Sequence, residues 1–171
     1  MRAGRRFPEL AARVLASAVC LALLAACASL PAPQSETDSI LIIPVSVENE
    51  TGMALKYDIR LGVETESGWL YYTVTERTRF VVIPHLVPGE HHINVQERYR
   101  GGSGRWLGLS SVDMTNAPGV LSVSDVFFSL HVGLTRGGFE TRRASWPQVT
   151  PEMESDTLAA VSEWRNADRW M

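Results

Sequence analysis

MALKYDIRLGVE, residues 53–64, carries an apolar side chain at every second position, with charged side chains at four of the six alternate positions. Successive residues of a β-strand point to opposite faces of a sheet, so this period of two predicts a strand with one face on a core and one in water. Such a strand is typical of an antiparallel sheet. The side chains predicted to face the core are Met53, Leu55, Tyr57, Ile59, Leu61 and Val63.

Further strand-like segments lie on both sides of this one. Residues 40–47 (ILIIPVSV) start apolar on both faces, and Pro44 cannot donate to a strand ladder, so we expect an edge strand or a bulge there. In residues 120–135 the inward positions change from odd to even, which predicts a bulge near Ser124 and Asp125. With turns between them, the segments predict seven to nine strands. An antiparallel β-sandwich is the expected architecture, and a small closed barrel is the alternative.

Residues 86–95 (LVPGEHHINV) place Pro88 and Gly89 at the centre of a type II turn, and an alternating strand follows. This run resembles the segment that opens a late strand in fibronectin type III, prealbumin-like and related Ig-like sandwich modules. His91 stands where many of those modules have a tyrosine that ties the corner to the backbone. The resemblance implies that the predicted sandwich is Ig-like.

The pattern becomes helical in the last segment, residues 148–171, which follows a predicted sandwich domain at 39–147. Thr150 can cap a helix and Pro151 suits its first position, so we expect one C-terminal amphipathic helix. The helix is expected to lie on the sandwich or to cover an open sheet edge. The alternative is that it docks into a partner protein. The candidate contact residues for that alternative are Val161, Trp164 and Met171.

Residues 24–27 (LAAC) close a short apolar run that follows an arginine-rich start. This arrangement resembles the lipobox of bacterial lipoproteins, in which the signal peptide is cut before a cysteine that is then acylated. The resemblance implies a signal peptide at 1–26, a lipid-accepting Cys27 that attaches the protein to the bilayer, and a tether at 27–38. Because no aspartate follows Cys27, the family's sorting rule implies the outer membrane, with the domain in the periplasm. The alternative is a secretory signal cut after Ala26 without lipid.

Charge and cysteine usage narrow the possible functions. Residues 1–26 contain four arginines and one glutamate, so their removal changes the net charge from −3 to −6. A chain this acidic, with Lys56 as its only lysine, is not expected to bind nucleic acid. Of the two cysteines, Cys20 lies in the signal and Cys27 is the lipid acceptor. The mature chain would therefore have no disulfide, and its stability would come from a packed core.

The sequence contains none of the common catalytic or cofactor motifs, such as G-x-S-x-G, H-E-x-x-H, C-x-x-C or a dinucleotide fingerprint. We therefore expect neither an enzyme nor a cofactor. The adjacent histidines His91 and His92 would point to opposite faces of a strand, and His131 falls at an outward position. No metal site is predicted.

Aromatic residues in the middle hairpins give the remaining hint of a ligand. Rings on strands usually belong to a core. If Trp69 and Tyr71 face the core, then Tyr72 faces outward. The residues considered for a ligand site are accordingly Tyr72 and Trp106.

Two functions are compatible with these observations. The first is a membrane-anchored periplasmic lipoprotein whose non-catalytic sandwich binds another envelope protein through a strand edge or the terminal helix. The alternative is a carbohydrate-binding or polysaccharide-processing envelope domain. A smooth sandwich with an unpaired apolar edge would favour the first. An exposed row of aromatic rings, beside a cleft that holds two carboxylates, would favour the alternative.

Overall fold

The computed structural model describes residues 29–101 and 104–170. Within these residues the chain forms nine strands, then an α-helix, α1 (Pro151–Ser162), and a short 3₁₀ helix, η1 (Ala167–Arg169). The strands are β1 (Ser39–Asn49), β2 (Tyr57–Thr65), β3 (Gly68–Val74), β4 (Phe80–Leu86), β5 (Gly89–Tyr99), β6 (Leu107–Asn116), β7 (Leu121–Val123), β8 (Phe128–Leu134) and β9 (Glu140–Ser145).

The strands form two sheets packed as a β-sandwich, which confirms the predicted fold class. One sheet has four strands in the order β3-β2-β5-β6, and all its neighbours are antiparallel. The other has five strands, in the order β4-β1-β8-β9 with β7 also paired to β1. Because β1 runs parallel to β7 and β8, this second sheet is mixed.

Pro44 does not mark an edge strand, and that prediction was wrong. β1 has β4 on one side and β7 and β8 on the other. Its pairing with β7 ends at Ile42, and its pairing with β8 begins at Val45. Pro44 therefore lies in the gap between two successive partners, where a missing N–H breaks no ladder.

The change of phase within residues 120–135 is an interruption and not a bulge. β7 ends at Val123, the chain leaves the sheet through Ser124 and Asp125, and β8 starts at Phe128. The backbone N–H of Ser124 still donates to the carbonyl oxygen of Ile42 at 2.9 Å. The sequence pattern located the irregularity correctly but not its form.

β2 begins at Tyr57 and not at Met53, which is 48% exposed. The carbonyl oxygen of Met53 accepts a hydrogen bond from the side-chain amide of Asn49 at 2.7 Å, which fixes the preceding residues in a turn. From Tyr57 onward the predicted alternation holds. The main core between the sheets consists of buried residues from both, among them Leu41, Ile43, Ile59, Leu61, Val63, Ile93, Val95, Phe128 and Leu130.

A second apolar cluster lies on the outer face of the five-stranded sheet, where the terminal helix covers β1. Ile40 and Ile42 are fully buried there against Val161, which is 1% exposed. The helix starts as predicted, with the Thr150 hydroxyl accepting the Met153 backbone N–H at 3.2 Å. No helix among the described residues is long and apolar enough to cross a membrane.

Candidate functional site

The phase of β3 decides which aromatic rings reach the surface. β3 pairs with β2 so that Leu61 opposes Tyr72 and Val63 opposes Leu70. Since Leu61 and Val63 point into the core, Tyr72 does so too, and burial raises the pKa of its phenol. This corrects the prediction that Tyr72 belongs to a surface ligand site.

The neighbouring rings Trp69 and Tyr71 occupy the outer face instead. Their ring centroids are 6.3 Å apart, and their planes differ by 17°. Trp106, which was predicted as a possible ligand-site residue, lies on the same face. We call the continuous row on this face the outer ladder. Its members are Trp69, Tyr71, Arg60, Trp106 and Arg98.

Guanidinium groups link the rings of the outer ladder. The Arg60 Cζ atom lies 3.7 Å from the ring centroid of Tyr71 and 4.0 Å from that of Trp106. The Arg98 Cζ atom lies 4.7 Å from the Trp106 centroid. Each such contact contributes about 0.5–2 kcal/mol, depending on its exposure to water. The ladder is therefore a cross-strand assembly that restrains its own side chains.

Hydrogen bonds position both arginines from the neighbouring strand. The Nε and Nη2 atoms of Arg60 donate to Oε1 of Gln96 at 2.9 and 2.7 Å. Arg98 donates to Asp58 at 3.3 Å, and Arg100 donates to the other oxygen of Asp58 at 3.0 Å. The hydrogen bond from Arg100, followed by that from Arg98, holds the pKa of Asp58 below its usual value of 3.8. Asp58 thus stays charged at neutral pH and keeps its two arginines in place.

A glycine makes room beneath the rings. A Cβ atom at Gly62 would lie 2.7 Å from Oδ1 of Asn94, 2.9 Å from Cε1 of Tyr71 and 3.1 Å from Cε3 of Trp69. The Asn94 oxygen is itself buried and has no hydrogen-bond partner. Gly62 therefore allows the ladder to lie close to the sheet.

The outer ladder is accessible despite this packing. Trp69 is 36% exposed and Tyr71 is 44% exposed. Neighbouring exposed rings that are held in position make the outer ladder the candidate binding surface among the described residues.

A groove of about 500 Å³ adjoins one end of the ladder. It lies between the turn that joins β2 to β3 and the turn that joins β4 to β5, and Glu64, Glu66 and Glu90 line it. His92 also lines the groove, and its ring meets that of Trp69 edge-on at 6.1 Å. The aromatic row and the carboxylates are thus neighbours on the surface.

The histidines do not form a metal centre in the described part of the chain. His131 lies 3.6 Å from a carboxylate oxygen of Glu48 and 3.6 Å from one of Glu50. Across residues 29–101 and 104–170, no group of three or more histidine, cysteine, aspartate and glutamate side chains is arranged to hold a metal ion.

The residues predicted for a partner contact on the helix lie elsewhere. Val161 is buried within the domain, so it cannot reach a partner in this fold. The ring of Trp164 packs against Phe80 with a centroid distance of 5.5 Å. Cys27 and Met171 lie outside the described residues.

The roles of Arg60 and Arg98 and the outward position of Trp69 were not predicted from the sequence. One signal for the rings was available in the hairpin that joins β2 to β3. Thr65 opposes Gly68 across a two-residue turn. The register set by this turn pairs Trp69 with Glu64, and Glu64 lies on the charged face of β2. Trp69 therefore lies on the face opposite to the core.

No protein-family model matches the chain, and a search of curated proteins gives no match. The fold and the surface define its class: a β-sandwich with a covering C-terminal helix and an exposed aromatic and arginine ladder.

Proposed function

We propose that this protein is a lipoprotein of the bacterial envelope, anchored in the outer membrane through an acylated Cys27. Its sandwich lies in the periplasm and acts as a non-catalytic module that binds another envelope protein through the outer ladder. The anchor is supported by the resemblance of residues 24–27 to a lipobox. The binding role is supported by the ladder, and this observation carries the proposal.

The composition of the ladder favours a protein partner. Tryptophan, tyrosine and arginine are the residues most enriched at the energetic centres of protein interfaces. Their side chains in the ladder are already held by stacking and by the hydrogen bonds of Arg60 and Arg98. Little conformational entropy would be lost on binding, which raises the affinity that a given contact area provides.

A carbohydrate ligand is the second candidate. It is favoured by the groove beside Trp69, because exposed rings next to Glu64, Glu66 and Glu90 could bind a sugar through stacking and hydroxyl hydrogen bonds. Against it, guanidinium groups cover the rings of Tyr71 and Trp106. A stacked sugar needs a free ring face, so these contacts reduce the area open to it.

Site-specific photocrosslinking in living bacteria tests the proposal. A photoreactive phenylalanine analogue replaces Tyr71 in one strain and Phe139 in another. Phe139 is 75% exposed and lies between β8 and β9, so it is a matched exposed aromatic remote from the ladder. We expect a discrete protein adduct at Tyr71 and none at Phe139.

The captured protein is then purified for affinity measurements with Trp69→Ala, Arg60→Ala and the control Phe139→Ala. A residue at an interface centre is worth at least about 2 kcal/mol, so each ladder variant should weaken binding roughly thirtyfold. The control should bind like wild type. Equal affinities for all four proteins would contradict the proposal. Retention on cell-wall or outer-membrane polysaccharide that is lost in Trp69→Ala, without a protein adduct, would favour the carbohydrate candidate.

A further inference from the structure

The first described residues are fastened to the end of the chain. The backbone N–H of Leu30 donates to the carbonyl oxygen of Arg165 at 3.0 Å, and Ser29 forms a β-bridge with the same residue. The side-chain amide of Asn166 donates to the Leu30 carbonyl oxygen at 3.0 Å. These contacts fix Ser29 beside the turn that follows α1.

Apolar burial secures the same attachment. Leu30 is 1% exposed and belongs to the cluster on the outer face of the five-stranded sheet. The indole N–H of Trp170 donates to the Pro31 carbonyl oxygen at 2.7 Å. Burial of a leucine side chain stabilises the packed state, whereas a chain terminus that frays lacks such a contact. Residues 29–31 therefore belong to the packed domain and not to a flexible tether.

Very little chain remains between this attachment and the lipid acceptor. Ala28 alone separates Cys27 from Ser29. Two trans peptide steps span at most about 7 Å, so the acylated sulfur stays within roughly 10 Å of Ser29. The acyl chains must enter the hydrocarbon core, and the headgroup layer above it is only about 5–8 Å thick on each side. A domain fastened at Ser29 cannot stand away from the membrane.

We propose that the bilayer surface is the partner of the surface around Ser29, so that the domain lies on the membrane in one orientation. This inference rests on the proposed acylation of Cys27. We call the surface the anchor patch. It consists of Ser29, Ser162, Glu163, Trp164 and Arg165, on the outer side of the helix-covered sheet.

The chemistry of the anchor patch fits a headgroup layer. Glu163 and Arg165 are both exposed and carry opposite charges, so the patch lacks the acidic character of the whole mature chain. Trp164 is partly buried, with its ring against Phe80. Tryptophan is enriched at the level of lipid headgroups because its ring is apolar and its N–H is polar.

Fluorescence quenching on the full lipoprotein tests this orientation. Cys27 is the one cysteine of the mature chain, so once it is acylated an added cysteine is the only free thiol. A fluorophore is attached to one introduced cysteine in each protein. Glu163→Cys and Ser162→Cys are the two near positions, which lie in the anchor patch, and Thr73→Cys is the control. Thr73 is exposed on the opposite face of the sandwich. The vesicles contain phosphatidylethanolamine and phosphatidylglycerol, with a fraction of nitroxide-labelled headgroups.

We expect strong quenching at both near positions and almost none at Thr73. A flexible insert of about twenty glycine and serine residues between Ala28 and Ser29 has an average span of roughly 25 Å. Most of the quenching should be lost in the protein that carries this insert. Equal quenching at Glu163 and Thr73, or quenching at Glu163 that is unchanged by the insert, would overturn the inference.

Mass spectrometry of the amino-terminal peptide and vesicle flotation keep the two proposals separate. An acylated, floating protein with equal quenching at both faces refutes the orientation alone. A protein without lipid on Cys27 that does not float refutes the lipoprotein proposal, and the orientation falls with it.

Discussion

Replacing the partly exposed residue Arg142 should strongly destabilise the sandwich. Arg142 lies on β9 and Glu97 on β5, so their ion pair joins the two sheets. The Nε and Nη2 atoms of Arg142 donate to the two oxygens of Glu97 at 2.7 and 3.1 Å. The guanidinium also lies 3.6 Å from the ring centroid of Tyr57 and donates to Glu140 at 3.3 Å.

The structure allows the size of the effect to be estimated. Burial is the largest single effect on Arg142 and lowers its pKa, but the hydrogen bonds and charge of Glu97, together with Tyr57, outweigh it and raise the pKa of the guanidinium above its usual value. Arg142→Ala leaves the carboxylate of Glu97, whose side chain is only 11% exposed, without its cation. Breaking a buried ion pair costs about 3–5 kcal/mol. Because the Arg142 side chain retains 19% exposure, we expect a loss near the lower limit, about 3 kcal/mol.

Urea titration followed by tryptophan fluorescence measures this loss, with the unacylated chain from Ala28 onward. Arg143 is the matched control, because it is the next residue of β9 and its side chain is exposed. Arg143→Ala should change the free energy of unfolding by less than about 0.5 kcal/mol. The double variant Arg142→Met with Glu97→Leu should be more stable than Arg142→Ala, since the unpaired carboxylate of Glu97 is gone. Unfolding of Arg142→Ala and Arg143→Ala at the same urea concentration would contradict the expected role of the ion pair.

Three further predictions concern the ladder, the amino-terminal segment and the helix. Gly62→Ala should shift the rings above it, changing the near-ultraviolet circular dichroism at a cost of about 1 kcal/mol; an unchanged spectrum would contradict this. A hydrogen bond from the Gln34 backbone N–H, which outweighs burial, holds the pKa of Asp38 below its usual 3.8. The stability that Asp38 contributes is present above its unfolded pKa and is lost as the pH falls through the folded value, so urea midpoints of Asp38→Asn should decline less in acid than those of wild type. Thr150→Ala should lose about 1 kcal/mol of stability to urea, whereas Thr150→Ser, which keeps a capping hydroxyl, should lose little.

Sequence periodicity predicted the fold because burial and side-chain direction are local properties of a strand. The alternation in β2, from Tyr57 to Val63, is visible without any knowledge of neighbouring strands. The helix start at Thr150 and Pro151 was equally local, and the structure confirms it. The number of strands lies within the predicted range for the same reason.

Neighbour relations could not be predicted in this way. The sequence of β1 indicates burial on both faces, but it does not identify which strands lie beside it. Pro44 was therefore assigned to an edge or a bulge, whereas it lies between two parallel partners of a central strand. A proline excludes one hydrogen bond, and only the complete sheet shows whether that bond is needed.

The outer ladder was hidden for a related reason. Arg60 lies on β2, Tyr71 on β3 and Trp106 just before β6, and no local pattern links these residues. From the sequence alone, a single arginine on a strand also cannot be distinguished from an ordinary solvated residue. Only the register of β2 with its two neighbours brings the guanidinium between the rings.

The two outer faces of the sandwich differ: one is covered by the terminal helix, and the other carries exposed aromatic rings. The helix and residues 29–31 cover the outer face of the five-stranded sheet. The outer ladder lies on the outer face of the four-stranded sheet, on the other side of the sandwich. If the helix layer lies on the bilayer, the ladder stands at least about 20 Å above it, given a helix about 10 Å across and sheets about 10 Å apart. It would then face away from the membrane, toward a partner in the periplasm. In that arrangement a short anchor would favour binding, because it would present the ladder in a fixed direction. It would also remove in advance the rotational freedom that a protein on a long tether loses on association.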